Sequence, residues 1–306
     1  MSILSKPYFH NEEAAYEFVE SKLWPQGATC PKCGERERVS KMQGKSTRIG
    51  AYKCYKCRKP FTVKVGTIFE SSHVKMHLWL QAIYLMCASK KGVSANQLHR
   101  TLGVTLKTAW FMAHRIREAM KDDSLSSFGS GGGMVEVDET YMGKTRGYGK
   151  GAHSSKKRKV LALVDRETGR VRSMKIDNVT VKEIAPIVKM NLSREAQLMT
   201  DQAMHYRKIG KMFPAHHSVN HGLGEYVNKE NGEIHTNTVE NYFSVFKRGM
   251  KGIYQHCAEK HLNRYLAEYN HRYNYRAKNG YSDLERAEIV LMGVSGKRLT
   301  YERAGA

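Results

Sequence analysis

The chain opens on a helical pattern. Residues 8–24 place Ala15, Phe18 and Leu23 on one face, Asn11 can cap the start, and Glu12 and Glu13 favour its positive end. The turn Trp24-Pro25-Gln26-Gly27 follows, then Ile49 to Lys53 and Pro60 to Val65 read as short strands. Residues 75–120 return to helical spacing. Within them Ser94 caps a helix to Leu102, Gly103-Val104-Thr105 makes a sharp turn, and a second helix runs from Leu106 into Met120. Ala95, Leu98, Val104, Ala109 and Ile116 can pack the pair. The segment Ser124 to Gly133 (SLSSFGSGGG) reads as a flexible linker.

After that segment the pattern changes to short apolar runs. Met134 to Tyr141, Val160 to Asp165, Val171 to Ile176 and Gln197 to Thr200 read as strands, with a hairpin turn at Glu167 to Arg170. Val181 to Met190, Thr238 to Met250 and Ala258 to Tyr275 read as helices. In the last, Leu262, Tyr265, Leu266 and Tyr269 form a core-packing stripe. Strand, hairpin, helix, strand and helix in this order predict an α/β domain with a mixed sheet.

Cysteine spacing adds a metal. Cys30-Pro31-Lys32-Cys33 and Cys54-Tyr55-Lys56-Cys57 are two CxxC pairs with twenty residues between them, so four thiolates can converge on one tetrahedral Zn²⁺. Closed four-cysteine coordination makes that ion structural. Cys87 and Cys257 are isolated and read as buried thiols.

Charge then narrows the partner. The 306 residues hold 51 Lys and Arg against 29 Asp and Glu, a net charge of +22, with 41% hydrophobic content. A polyanion, and double-stranded DNA first, is the expected partner. No run reaches the roughly 18 apolar residues of a membrane span. Met1 to His10 lacks the apolar core of a signal peptide. A cytoplasmic, nucleoid-associated protein is expected. The paired helices of 92–118 suit a helix-turn-helix, with Lys107, Thr108, Trp110, His114 and Arg115 toward DNA. The glycine-rich loop after the first strand carries Lys144, Arg146, Lys150, Lys156, Lys157, Arg158 and Lys159 and can wrap a DNA backbone. Lys247, Arg248 and Lys251 form a second basic cluster, while His216, His217 and His221 read as strand and loop residues.

The candidate chemistry lies in three acids. Alternation in Val135-Glu136-Val137-Asp138 puts Glu136 and Asp138 on one face of an apolar strand, where a carboxylate needs a compensating partner. Asp201 ends another strand, and Glu240 opens a helix with Lys247 seven residues on, on the same side. Three carboxylates from two strands and a helix suit two Mg²⁺ or Mn²⁺ ions and metal-assisted phosphodiester displacement. Lys247 would hold a phosphate beside them. Asn237 is the nearest rival to Glu240 as third ligand.

The stretches VEVDETY (135–141), LMTD (198–201), HTNTVENYFSVFKR (235–248), WPQGATCPKCG (24–34) and YLAEYNHRYNYR (265–276) resemble the ISXO-like group of bacterial insertion-sequence transposases over nearly the whole chain. The resemblance implies a ribonuclease H-like catalytic domain with a mixed five-stranded sheet. It also implies a DDE-type triad of Asp138, Asp201 and Glu240 followed by Lys247. The expected organisation is multidomain α+β. It comprises an N-terminal helix and small zinc ribbon (1–72), a helical helix-turn-helix domain (73–123), a linker (124–133) and the α/β catalytic domain (134–306). The expected activity is cleavage at terminal inverted repeats and joining of 3′-hydroxyl ends to target DNA, by a homodimer or higher oligomer. A DNA-binding regulator, or a nuclease of the same fold without strand transfer, is the alternative.

Overall fold

The computed structural model describes residues 2–122, 126–143, 157–220, 222 and 224–299. They fall into two compact units, Met1–Asp122 with Gly280–Ala306, and Asp123–Asn279.

In the first unit, helix α1 (Glu12–Leu23) starts where the Asn11 side chain accepts the Ala14 amide at 2.9 Å. An antiparallel ribbon follows, β1 (Val39–Lys41), β2 (Tyr52–Cys54) and β3 (Pro60–Phe61), in that spatial order. Cys30, Cys54 and Phe61 are its buried core, and Trp24 packs edge-on against Tyr52 and Phe61. A core that small cannot hold a fold by burial alone. Helices α2 (Met76–Ala88), α3 (Ala95–Leu102) and α4 (Leu106–Ala119) come next. Ser94 caps α3 and Thr105 caps α4; between them Gly103 takes φ +66°, a left-handed conformation that costs a glycine least.

The first unit also contains a helix expected elsewhere. Asp283–Met292, the last helix among the described residues, buries Ala287, Val290 and Leu291 in the core with Trp79, Ile83 and Met112. The segment 134–306 therefore does not form one body: residues from Gly280 on cluster with the amino-terminal unit. An amphipathic pattern specifies a face to bury, not the core that receives it.

The second unit is built on a five-stranded sheet. Its strands are β4 (Met134–Met142), β5 (Arg158–Asp165), β6 (Val171–Ile176), β7 (Gln197–Asp201) and β8 (Ala215–Val219), in the order β6-β5-β4-β7-β8. The first three pair antiparallel, and β4-β7 and β7-β8 pair parallel. This mixed order is that of a ribonuclease H-like domain. Helices α5 (Val181–Asn191) and α6 (Met204–Gly210) cover one face, packing Ile184, Val188, Tyr206 and Ile209 on Val135, Val137, Leu161 and Leu163. Helices α7 (Asn237–Gly249) and α8 (Leu262–Asn274) cover the other, packing Val239, Phe243, Leu262 and Leu266 on Val160, Ala162 and Val164. The stripe at Leu262, Tyr265, Leu266 and Tyr269 is buried, as its spacing predicts.

The second half of the expected linker is not a free tether. Phe128 is 2% exposed and bridges to Leu192. The Gly129 amide donates to Asp165 at 3.0 Å, and a Cβ at Gly129 would stand 2.5 Å from that of Ala196. Serine and glycine here serve a close approach to the sheet rather than slack.

Candidate active site and metal centre

Strand alternation decides which acids can meet. On β4, Val135 and Val137 face α5 and α6, so Glu136 and Asp138 face α7. The β4-β7 register pairs Glu136 with Met199. That pairing ends there; two residues on, alternation keeps Asp138 and Asp201 on that same face, and the charge of Asp201 reaches Asp138. Glu240 is in the first turn of α7, the helix packed over that face. Asp138, midway along β4, and Asp201, the last residue of β7, are both half-buried; Asp138 accepts the Glu139 amide at 2.8 Å, and Asp201 that of Ala203 at 3.0 Å.

Electrostatics tie the three together. Burial, together with the charges of Glu139, Asp201 and Glu240, pushes the Asp138 carboxyl up to about 8, against a lowering by the Glu139 N–H. Several carboxylates compete for one region, and a divalent cation would relieve their repulsion. All-oxygen donors suit Mg²⁺ or Mn²⁺. Among the described residues, only the four cysteines bring ligand atoms all within 4.8 Å of one another; the three acids are spread wider.

Two neighbours of Asp138 have roles that reading along the chain leaves unassigned. Glu136 is 0% exposed and binds Arg166 Nε at 2.6 Å and the amides of Thr238 and Val239, each at 2.8 Å. Glu139, on the opposite face, accepts the Tyr206 hydroxyl at 2.7 Å and lies 3.5 Å from His205 Nε2. Alternation alone signals that Glu136 shares a face with Asp138; its partners lie 30 residues away at Arg166 and about a hundred away at Thr238 and Val239. Asn237, the first residue of α7, is exposed, and its amide faces His235 Nδ1 at 3.3 Å.

The cysteines form the second centre. Cys30 and Cys57 sulfurs are 3.7 Å apart, and those of Cys33 and Cys54 are 3.6 Å apart. Tetrahedral Zn²⁺ with bonds of about 2.3 Å needs sulfurs roughly 3.8 Å apart, and a disulfide about 2.05 Å, so the set fits zinc. The Cys57 backbone N–H draws the Cys54 thiol down to about 7, toward the thiolate that metal binding requires. His216 does not join a metal cluster: its Nε2 lies 2.9 Å from the Thr200 hydroxyl, and His217 sits beside it on β8. His221 lies outside the described residues.

The basic residues divide. Lys107 is exposed at the start of α4, and Thr108 and Trp110 are half-buried. His114 and Arg115 are 1% and 5% exposed and do not face outward. Arg115 instead donates to the carbonyls of Ile68 and Glu70 at 2.7 and 2.9 Å, across Phe111. An i, i+4 face drawn from helical spacing includes both sides of the stripe's edge, and packing consumed this side. Lys144, Arg146, Lys150 and Lys156 lie outside the described residues. Lys157 is exposed, whereas Arg158 binds the Cys257 carbonyl and Lys159 the Asp177 carbonyl at 2.6 Å, as parts of β5. Lys247 and Arg248, in the last turn of α7, and Lys251, just past its end, are all exposed.

Both regions match known families. Residues 131–274, spanning β4 to α8 and all three acids, match the model of an ISXO2-like transposase domain. Residues 10–60, with the four cysteines, match that of a transposase zinc-ribbon domain. A Halobacterium salinarum protein described as an uncharacterized protein in transposable element ISH50 is 26% identical over 257 residues, covering 78% of this chain and 83% of that one. No helix among the described residues is long and apolar enough to cross a membrane.

Proposed function

Because the chain belongs to the ISXO2-like transposases, we propose that it cuts DNA at the terminal inverted repeats of its element and joins the freed 3′-hydroxyls to target DNA. This reading is supported by the charges that reach Asp138 from Asp201 on the neighbouring strand and from Glu240 in the first turn of the helix over that face of the sheet. Two Mg²⁺ or Mn²⁺ ions held there would activate the attacking oxygen and stabilise the leaving one. Asp138 and Asp201 would hold the cations from adjacent strands, and Glu240 would complete the set from α7. Lys247, two turns on from Glu240, contacts a phosphate. In the first step water displaces the 3′-oxygen at the element end; in the second, that 3′-hydroxyl displaces one in target DNA, one P–O bond forming as another breaks. Joining two ends calls for at least a dimer on DNA. A strand-transfer assay with labelled repeat ends and Mn²⁺ tests the proposal: joined products support it, and cleavage without joining would leave a nuclease.

The α3-α4 pair is the proposed helix-turn-helix, reading DNA through Lys107, Thr108 and Trp110. Lys107→Ala should leave stability unchanged but weaken repeat binding and flatten its salt dependence by about one unit of log–log slope. Arg115→Ala should do the reverse. Stranding two carbonyls costs about 2–4 kcal/mol in denaturant unfolding, while the folded fraction binds DNA normally. Equal loss of binding per folded molecule in both would place Arg115 back at the DNA.

Metal affinity should depend on pH with a definite sign. Asp138 keeps its proton up to about 8 in the folded protein, so a cation must displace it below that pH. Mn²⁺ affinity by calorimetry is expected to rise roughly tenfold per unit from pH 6 to 8 and then level off. A flat profile would remove Asp138 from the ligand set.

A further inference from the structure

We propose that Glu136 is a positioning residue that clamps the first turn of α7 and so fixes Glu240 against Asp138 and Asp201; this rests on the reading of those three acids as the cation site. The first amides of a helix lack intrahelical acceptors and need a cap. At α7 the N-cap residue Thr236 makes no side-chain cap bond. The acceptor comes instead from β4: one Glu136 oxygen takes the amides of both Thr238 and Val239 at 2.8 Å. Val239 is the residue immediately before Glu240.

The other Glu136 oxygen meets Arg166 at 2.6 Å and lies 3.3 Å from His235 Nδ1. Arg166 in turn donates to the His235 carbonyl at 2.6 Å and contacts His235 Nδ1 at 2.9 Å, and it also binds the Glu233 carbonyl. The chain entering α7 is thus held by an arginine just after β5, and the helix start by a carboxylate on β4. Glu136 sits two residues from Asp138 on the same face. One strand therefore both presents the first acid and anchors the element that presents the third. A fully buried carboxylate is a poor way to gain burial energy, since an apolar side chain would fill the face without desolvating a charge. What the carboxylate adds is direction: two parallel amides and a guanidinium set the axial position and rotation of α7.

The experiment uses the full-length protein and has a readout that does not need activity. Hydrogen exchange of the metal-free Glu136→Ala protein should speed at least tenfold across residues 237–243, with α5 and α8 unchanged. Its Mn²⁺ affinity should fall about tenfold or more, as for other residues that orient ligands. Glu136→Gln, which keeps one acceptor, should fall between. Arg166→Gln should loosen the same segment from the other side. The clamp is overturned by unchanged exchange at α7, by loosening with full Mn²⁺ affinity, or by global unfolding of Glu136→Gln and Arg166→Gln alike. If the unaltered protein binds no Mn²⁺ through Asp138 and Asp201, the cation-site reading fails, while the exchange result still decides whether Glu136 holds α7.

Discussion

Strand transfer by the Asp201→Ala protein is expected to fall by at least about 10³-fold with its fold intact. The carboxylate lies at the end of β7, half-buried, where it accepts the Ala203 amide. Removing it costs the sheet little. It costs the reaction one of the ligands that place a cation on the phosphodiester, a contribution of several kcal/mol to the transition state, each 1.36 kcal/mol being tenfold. Asp138→Ala should behave alike. It should also remove a carboxyl that burial first, and neighbouring charge second, keep from ionising in the folded chain, so the metal-free variant should melt no lower than the parent. The third position is decided in the same assay: Glu240→Ala should match the two aspartates, and Asn237→Ala, at an exposed residue, should retain activity. Full strand transfer without Asp201 would dismiss the proposed site, and a reversed order at 240 and 237 would move the third ligand by one helical turn.

The second large effect concerns folding. Chelating zinc, or replacing Cys54 with serine, should unfold the ribbon around β1, β2 and β3 and leave the five-stranded sheet intact. A structural zinc site supplies roughly 10–16 kcal/mol of apparent binding energy, which in so small a module is folding energy. Cys54 is the sharpest choice, since it is fully buried and sits on the central strand of the ribbon. Hydrogen exchange reads the outcome directly: protection should be lost at residues 30–61 and kept at β4 to β7. Retained protection at the ribbon after metal removal would show that Trp24, Tyr52 and Phe61 suffice as a core.

Much of this was legible along the chain because the signals are local. The CxxC pairs fix their own knuckles, and the sulfurs converge as the spacing predicts. Ser94, Gly103 and Thr105 each act within one turn of themselves, so α3, the turn and α4 begin and end where their residues say. Period-two alternation put Glu136 and Asp138 on one face before any partner was known. Family resemblance supplied the grouping of Asp138, Asp201 and Glu240, which no local pattern contains.

What only the tertiary structure decided is where each exposed or apolar face found its complement. The helix Asp283–Met292 returns to the amino-terminal core, and the serine- and glycine-rich stretch ends packed beside Ala196. His114 and Arg115 turn inward to serve packing and stray carbonyls. Glu136 caps a helix about a hundred residues downstream. Except at His114 and Arg115, the sequence carried each side chain's chemistry and, through backbone period, its face. The partner depended on contacts between distant segments, which only the packed chain brings together.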